Sequence, residues 1–432
     1  MPEPLRRLLV GTLLLGPLIA LGSPYPASAV GETCNGLAAT MVGTPGGQVL
    51  GSPGDDVIVS NGATYVYGAD GNDVICTTGS IPQKHHFISI SGGRGSNVID
   101  RRGDLDPAVQ TLVSLYGDAE TFIGGPGADQ VSLEKTTPYA GPVSVQTGDG
   151  DDSVFVDHIS RFAVPASVDT GAGDDLVSVS DTIANLQVTA GDGTDTLATG
   201  DTQVDAITVD ARAGQVTFGA GHQLPFTGVD TYSFGLANLR STVSFVGSSR
   251  PEQVELEGRG QLSSADLGGG DDVVRFDMFT KPRTQLKGGP GQDRLELLAD
   301  HESDVHVDLA HHWFSARAHH RNPVRQFEDV SAEGGLVTIA GDGRDNELEW
   351  WGCSGGTVDG AGGDDTISPL PPIRVCSKVT MHATGGPGAD RLTGGPRGDT
   401  LDGGPGRDKA DGVSGVDTCP NDEVFKSCER RP

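Results

Sequence analysis

A nine-residue unit that repeats without interruption near the C-terminus constrains this chain more than any other feature. Gly385-Gly386-Pro387-Gly388-Ala389-Asp390-Arg391-Leu392-Thr393 is followed by units at 394–402 and 403–411 and by another from 412 onward. Asp390, Asp399, Asp408 and Asp417 fall at position six, and Leu392, Leu401, Ala410 and Cys419 at position eight. The pattern recurs at wider intervals at 51–58, 68–75, 124–131, 147–154, 170–177, 190–197, 267–274, 288–295 and 360–367. Glycines at positions one, two and four are expected to allow positive φ and a tight reversal whose carbonyls point into the turn. The apolar residue at position eight then opens a short strand with alternate side chains inward.

The wider units give the architecture. Val145, Val168 and Val188 precede successive turns at one offset, and Val154, Val177 and Leu197 follow them at another. Unit starts at 124, 147, 170 and 190 make coils of 23, 23 and 20 residues. Stacked coils bring those positions into apolar ladders, so the expected fold is all-β, a parallel β-solenoid of the β-roll or β-helix kind. Composition agrees: 65 Gly and 26 Pro among 432 residues, with 5% aromatics, leave little for a helical core or a doubly wound α/β fold. Acids outnumber bases 59 to 30, and the net charge of −29 argues against nucleic acid and anionic lipid as partners.

The repeat resembles the hemolysin-type, or RTX, calcium-binding family, whose unit is G-G-x-G-x-D-x-U-x with U apolar. Asp304-Val305-His306-Val307-Asp308-Leu309, Phe327-Glu328-Asp329-Val330 and the unit at 341–348 look like the spacers found between such repeats. A weaker copy is read from Ala206 through Val229-Asp230. The resemblance implies Ca2+ between stacked turns, held by turn carbonyls and by position-six carboxylates of neighbouring coils. Carried over residue by residue, the ligands are Asp56, Asp73, Asp129, Asp152, Asp175, Asp195, Asp272, Asp293, Asp365, Asp390, Asp399, Asp408 and Asp417. In the uninterrupted run alternate units share a side, which stacks Asp390 with Asp408 and Asp399 with Asp417. Position six is Gln48, Asn97 and Asn346 in three degenerate units, where weak or no binding is expected. Thr147, Thr170, Ala190 and Leu267 replace the first glycine, and Arg397 at position four is expected to close its site.

Electrostatics argues for an ion independently. In-register stacking sets equivalent carboxylates about 4.8 Å apart. At an effective dielectric near 20, two such charges repel by roughly 3 kcal/mol. A hard divalent cation with six to eight oxygen ligands relieves that load, and calcium tolerates irregular geometry better than magnesium.

The N-terminus reads as an export signal over 1–29: Arg6 and Arg7, an apolar stretch over 8–21 and a small-residue site at Ala27-Ser28-Ala29. The apolar stretch is short and broken by Gly16 and Pro17, so no stable membrane anchor is expected and the chain is read as secreted. Six cysteines in an exported chain read as disulfides, with 15 possible connectivities. Only neighbouring coils touch in a solenoid, which favours the sequential set Cys34–Cys76, Cys353–Cys376 and Cys419–Cys428. The resulting division is N-terminal repeats over 30–110, solenoid coils over 111–200 and degenerate spacer coils over 201–266. Coils with a His-rich spacer then occupy 267–380, and nonapeptide repeats with a cap 381–432.

Other constellations carry less. His301, His306, His311, His312, His319 and His320 suit a transition-metal patch, but His306 alternates with Val305 and Val307 and is expected to face solvent on a strand, and the group reads more simply as a solvated spacer loop. Trp350-Trp351 is either a sugar platform or packing, and packing is the simpler reading. Gly352-Cys353-Ser354-Gly355-Gly356 lacks a matching His and Asp for serine chemistry. No catalytic motif is present, so the expectation is a non-enzymatic, calcium-binding, structural or adhesive protein facing cell-wall or extracellular polymer. The alternatives are a calcium-dependent polysaccharide lyase or epimerase and an RTX-type toxin.

Overall fold

The computed structural model describes residues 31–429, apart from 83–86, 104–107, 135–138, 157–163, 181–184, 203, 220, 237–239, 259, 278–283, 317–319, 371–378 and 422–423. The expected signal segment therefore lies outside the described residues. Among the described residues no helix occurs, and so none is long and apolar enough to cross a membrane.

Strands of successive coils pair in parallel, and the registers are those the apolar spacing demands. Val154 faces Val177 and Val177 faces Leu197 on one sheet. Val145 faces Val168 and Val168 faces Val188 on the other. All six side chains are buried, as are the position-eight residues Ile367, Leu392, Leu401 and Ala410. One contiguous apolar cluster runs from Val49 to Cys419. Full burial of each Val or Leu contributes roughly 1.5–3 kcal/mol, and since each coil covers only its neighbours, the solenoid holds by stacking. The expected β-solenoid is the observed fold.

Two insertions depart from coil geometry. After the strand Thr196–Thr202, the strands Ala206–Asp210, Gln215–Phe218 and His222–Thr227 form an antiparallel meander whose outer strands stay paired in parallel with the coil strands Thr242–Val246 and Leu186–Thr189. Val209, Val216, Phe218 and Leu224 give this meander enough alternating apolar side chains to bury a face. Parallel stacking then resumes, with Tyr232 set edge-on against Phe226 and Phe245 at centroid distances of 5.7 and 4.9 Å. The His-rich spacer likewise forms antiparallel strands: Val305–Asp308 pairs with Trp313–Ala316, which pairs in turn with Asn322–Arg325. Val305, Val307 and Phe314 alternate inward, as the alternation around His306 leads one to expect, and the strand continues into an antiparallel fold rather than an open loop. His306 takes the outward-alternating place in its strand, and His319 lies outside the described residues.

The chain ends are stapled. Cys34–Cys76 ties the first hairpin, Thr33–Cys34 with Leu37–Ala38, to the second sheet at a Cα separation of 5.5 Å. Cys419–Cys428 closes the last turn at 5.9 Å. Cys353 is disulfide-bonded, and its expected partner, Cys376, lies outside the described residues. Trp350 and Trp351 are buried and stacked at 6.5 Å, so they pack the interior and present no platform.

Candidate metal centre

Every expected position-six aspartate is buried, from Asp56 at 5% exposure to Asp73, Asp195, Asp272, Asp293, Asp408 and Asp417 at 0%. Burial follows from the turn: the residue after it begins a strand, and the aspartate side chain folds back under the loop. The carboxylates then connect coil to coil. The backbone N–H of Asp129 donates to Asp152 Oδ1 at 2.7 Å, that of Asp152 to Asp175 at 2.8 Å and that of Asp175 to Asp195 at 3.0 Å. The same bond joins Asp272 to Asp293 at 3.0 Å, Asp365 to Asp390 at 2.8 Å and Asp390 to Asp408 at 2.9 Å. A second ladder joins Asp56 to Asp73 at 2.9 Å, and a third joins Asp399 to Asp417 at 2.7 Å. The alternate-side stacking expected for the nonapeptide run is what the structure shows.

One carboxylate oxygen thus caps a backbone N–H, and the other faces into the turn. In Asp73, Asp195, Asp272, Asp293, Asp365, Asp390 and Asp417 that Oδ2 is fully buried with no hydrogen-bond partner. A buried acceptor without a donor costs about 1–3 kcal/mol, and more when charged. Seven together rival the whole stability of an ordinary domain, about 5–15 kcal/mol. Asp399 differs, since the Gly395 N–H occupies its Oδ2 at 2.6 Å and the Met381 N–H its Oδ1 at 2.7 Å. Asp56 differs too, because the Ser52 N–H donates to its Oδ2 at 2.7 Å.

The position-one glycine has a role other than the expected one. Its φ is ordinary; positive φ occurs at positions two and four, as at Gly171 (92°) and Gly173 (141°). Position one is small because the carboxylate lies against it. A Cβ on Gly360 would stand 2.3 Å from Asp365 Oδ2, and one on Gly385 2.3 Å from Asp390 Oδ2. At position four, a Cβ on Gly173 would meet the Gly150 carbonyl oxygen at 2.1 Å. Turns therefore sit close enough for carbonyls and carboxylates of adjacent coils to share a small ligand. Where Thr147 and Thr170 replace the first glycine, they stand beside Asp152 and Asp175 and favour the ionised carboxyls.

Desolvation dominates the electrostatics. Burial pushes Asp152, Asp272 and Asp365 up to about 7 and Asp73, Asp195, Asp293 and Asp399 up to about 6. Asp175, Asp390 and Asp417 shift the same way for the same reason. Neighbouring rungs add repulsion, as Asp293 does at Asp272 and Asp390 at Asp365. Buried, mutually repelling oxygen donors backed by close-packed carbonyls fit a hard cation of calcium's kind. Among the described residues no three His, Cys, Asp or Glu side chains gather into a metal cluster, so backbone oxygen must complete any coordination shell.

Several rungs escaped the sequence reading. Asp195 N–H donates to Asp230, Asp293 N–H to Glu328 and Asp417 N–H to Glu429 at 3.3, 3.0 and 2.9 Å, so two residues placed in spacers and one in the C-terminal cap extend the ladders. Glu252 is a position-six residue outright: its N–H donates to Asp272 at 2.8 Å and its Oε1 accepts the Ser248 N–H at 3.0 Å. Gly247 at position one and Val254 at position eight were the signal for it. A stripe at position five also went unread. There the later coil donates, as Asp174 N–H does to Asp151 Oδ1 at 3.0 Å and Thr194 N–H to Asp174 Oδ1 at 2.8 Å.

Degenerate units fall into two kinds. Asn97 and Asn346 are buried rungs whose Oδ1 atoms replace the carboxylate oxygen toward N–H donors at 3.1 and 2.9 Å. Gln48 is exposed and forms no rung, because its strand, Gln48–Leu50, turns Val49 inward instead. Arg397 is exposed, and at Asp399 the Gly395 N–H occupies Oδ2. Asp129 departs furthest, since the buried Arg101 guanidinium lies against it, with Nε 3.2 Å from Oδ1.

The fold and site define a β-solenoid with buried carboxylate ladders along its turns. Residues 384–419 match the family described as the RTX calcium-binding nonapeptide repeat, in four copies. The chain carries hemolysin-type RTX repeats, and calcium is the ligand such repeats take. No curated protein matches the chain.

Proposed function

We propose that this is a secreted protein whose solenoid is folded and stabilised by calcium held between stacked turns, and that it acts outside the cell as a structural or adhesive element. One observation carries the reading: buried Oδ2 atoms recur without a donor at Asp73, Asp195, Asp272, Asp293, Asp365, Asp390 and Asp417. A site absent from the open chain turns ion-binding energy into folding energy. The signal-like N-terminus and the disulfides support an oxidising exterior. The rigid acidic surface supports contact with cell-wall or matrix polymer through bridging cations rather than catalysis. Sedimentation of the purified protein with cell-wall polymer, in calcium and in EGTA, tests the role. Calcium-dependent co-sedimentation without loss of polymer size is expected; calcium-dependent shortening of the polymer would instead establish an enzyme.

A further inference from the structure

Arg101 follows the strand Ser96–Asp100 on one sheet, and its side chain crosses to the turn that precedes Asp129–Leu133 on the other. The side chains of Arg101 and Asp129 are 1% and 0% exposed. Besides the contact from Nε to Asp129 Oδ1 at 3.2 Å, Nη1 donates to the Gly127 carbonyl at 3.2 Å and Nη2 to the Val109 carbonyl at 2.7 Å. These partners are a position-six carboxylate and a position-four carbonyl of one repeat, plus a carbonyl of the adjoining coil. The same kinds of oxygen converge in other turns, where a Cβ on Gly388 would meet both the Gly363 carbonyl oxygen and Asp390 Oδ1.

We propose that Arg101 is a resident cation that replaces calcium at the Asp129 turn, so that this rung of the ladder closes without metal. The inference rests on the calcium reading above for the other rungs, and it withdraws Asp129 from the expected ligands. A guanidinium supplies positive charge and fixed donors to several oxygens at once, where a metal would accept lone pairs from the same atoms. Two rungs with a broken repeat signature show the same device nearer the surface. Arg344 pairs with Glu328 and, at 2.8 Å, with Asp342, while Arg250 lies 3.7 Å from Asp230 and donates to the Val229 carbonyl at 3.3 Å. Asp129 is the deeply buried case, and it belongs to a unit whose own signature is intact. The coils around it therefore form a metal-independent platform from which the calcium-requiring ladder continues toward Asp152 and Asp175.

The test uses the disulfide-intact secreted chain and its variants Arg101→Met, Asp129→Asn, Asp365→Asn and Arg101→Met/Asp129→Asn. Bound calcium is counted by titration calorimetry, and melting is followed in EGTA. Asp129→Asn is expected to leave the calcium count unchanged, whereas Asp365→Asn lowers it. Arg101→Met is expected to gain one calcium per chain and, in EGTA, to melt several degrees lower, a loss that the double variant partly restores. A fall in calcium count with Asp129→Asn would overturn the proposal, as would an Arg101→Met loss in EGTA that removing the Asp129 charge does not relieve. If Arg101→Met does not fold, Arg101→Lys keeps the charge, and the Asp129→Asn count decides alone. If the unsubstituted chain binds no calcium, the ladder reading fails, and Arg101 stands or falls on relief in the EGTA double variant.

Discussion

Replacing Asp272 by Asn separates the two roles of a rung, because its effect on stability should reverse with calcium. In the ion-free fold, Asp272 Oδ1 accepts the Glu252 N–H at 2.8 Å, and an Asn carbonyl can do the same. Asn97 already does so for the Asp73 N–H at 3.1 Å. Substitution removes the charge on the buried, unpartnered Oδ2 and its repulsion by Asp293 and Glu252. Burial raises this carboxyl from 3.8 to about 7. That shift corresponds to roughly 4 kcal/mol, of which about 2 kcal/mol remains once screening by nearby solvent is discounted. A group whose folded pKa is raised contributes stability below its unfolded pKa and loses it as pH rises through the folded value. The penalty on the native chain therefore grows between about pH 4 and pH 7 and is complete by about pH 8. Scanning calorimetry in EGTA at about pH 8 should find Asp272→Asn melting about 2–4 °C above the native chain. In millimolar calcium the order should invert, because the variant has lost a ligand charge. A variant that melts below the native chain in both conditions would refute the reasoning, since the carboxyl would then not be a liability in the ion-free fold.

Four further outcomes follow from the same geometry. Gly360→Ala puts a methyl against Asp365 Oδ2 and should cost about 1–3 kcal/mol while weakening calcium binding, measured by melting and by titration; unchanged values would contradict the steric role of position one. Leu295→Ala at a fully buried rung should cost about 2–5 kcal/mol in denaturant unfolding, with or without calcium. Opening Cys34–Cys76, which spans 42 residues, should cost about 4 kcal/mol in chain-entropy terms and speed proteolysis of the first coils. Calcium affinity should weaken as pH falls from about 7 to about 5, because protons compete for Asp152, Asp272 and Asp365; a flat profile would place the ions elsewhere.

What the sequence disclosed is what local spacing encodes. A turn and its following strand lie within nine residues, so Asp390, Leu392 and their counterparts could be placed, and the offsets of Val145, Val168 and Val188 gave register as well as fold. Coil-to-coil chemistry was legible only in part. Glu252 was missed because the glycines between Gly247 and it are gone, although stacking still puts it on the ladder. Arg101 lies 28 positions before Asp129, and the two meet only after the coil closes, so spacing alone could not pair them. The meander over 206–227 was hidden because its alternation resembles that of coil strands, while its antiparallel direction is set by tertiary contact; at 305–308 alternation marked a strand, but not its antiparallel neighbours over 313–325.

Far-UV circular dichroism of the mature chain, freed of metal with EGTA and then titrated with calcium at about pH 8, addresses the account most directly. The account predicts that β-structure and melting temperature both rise with added calcium until several ions are bound per chain, and fall again when chelator returns. Identical spectra and melting curves at every calcium concentration would contradict it.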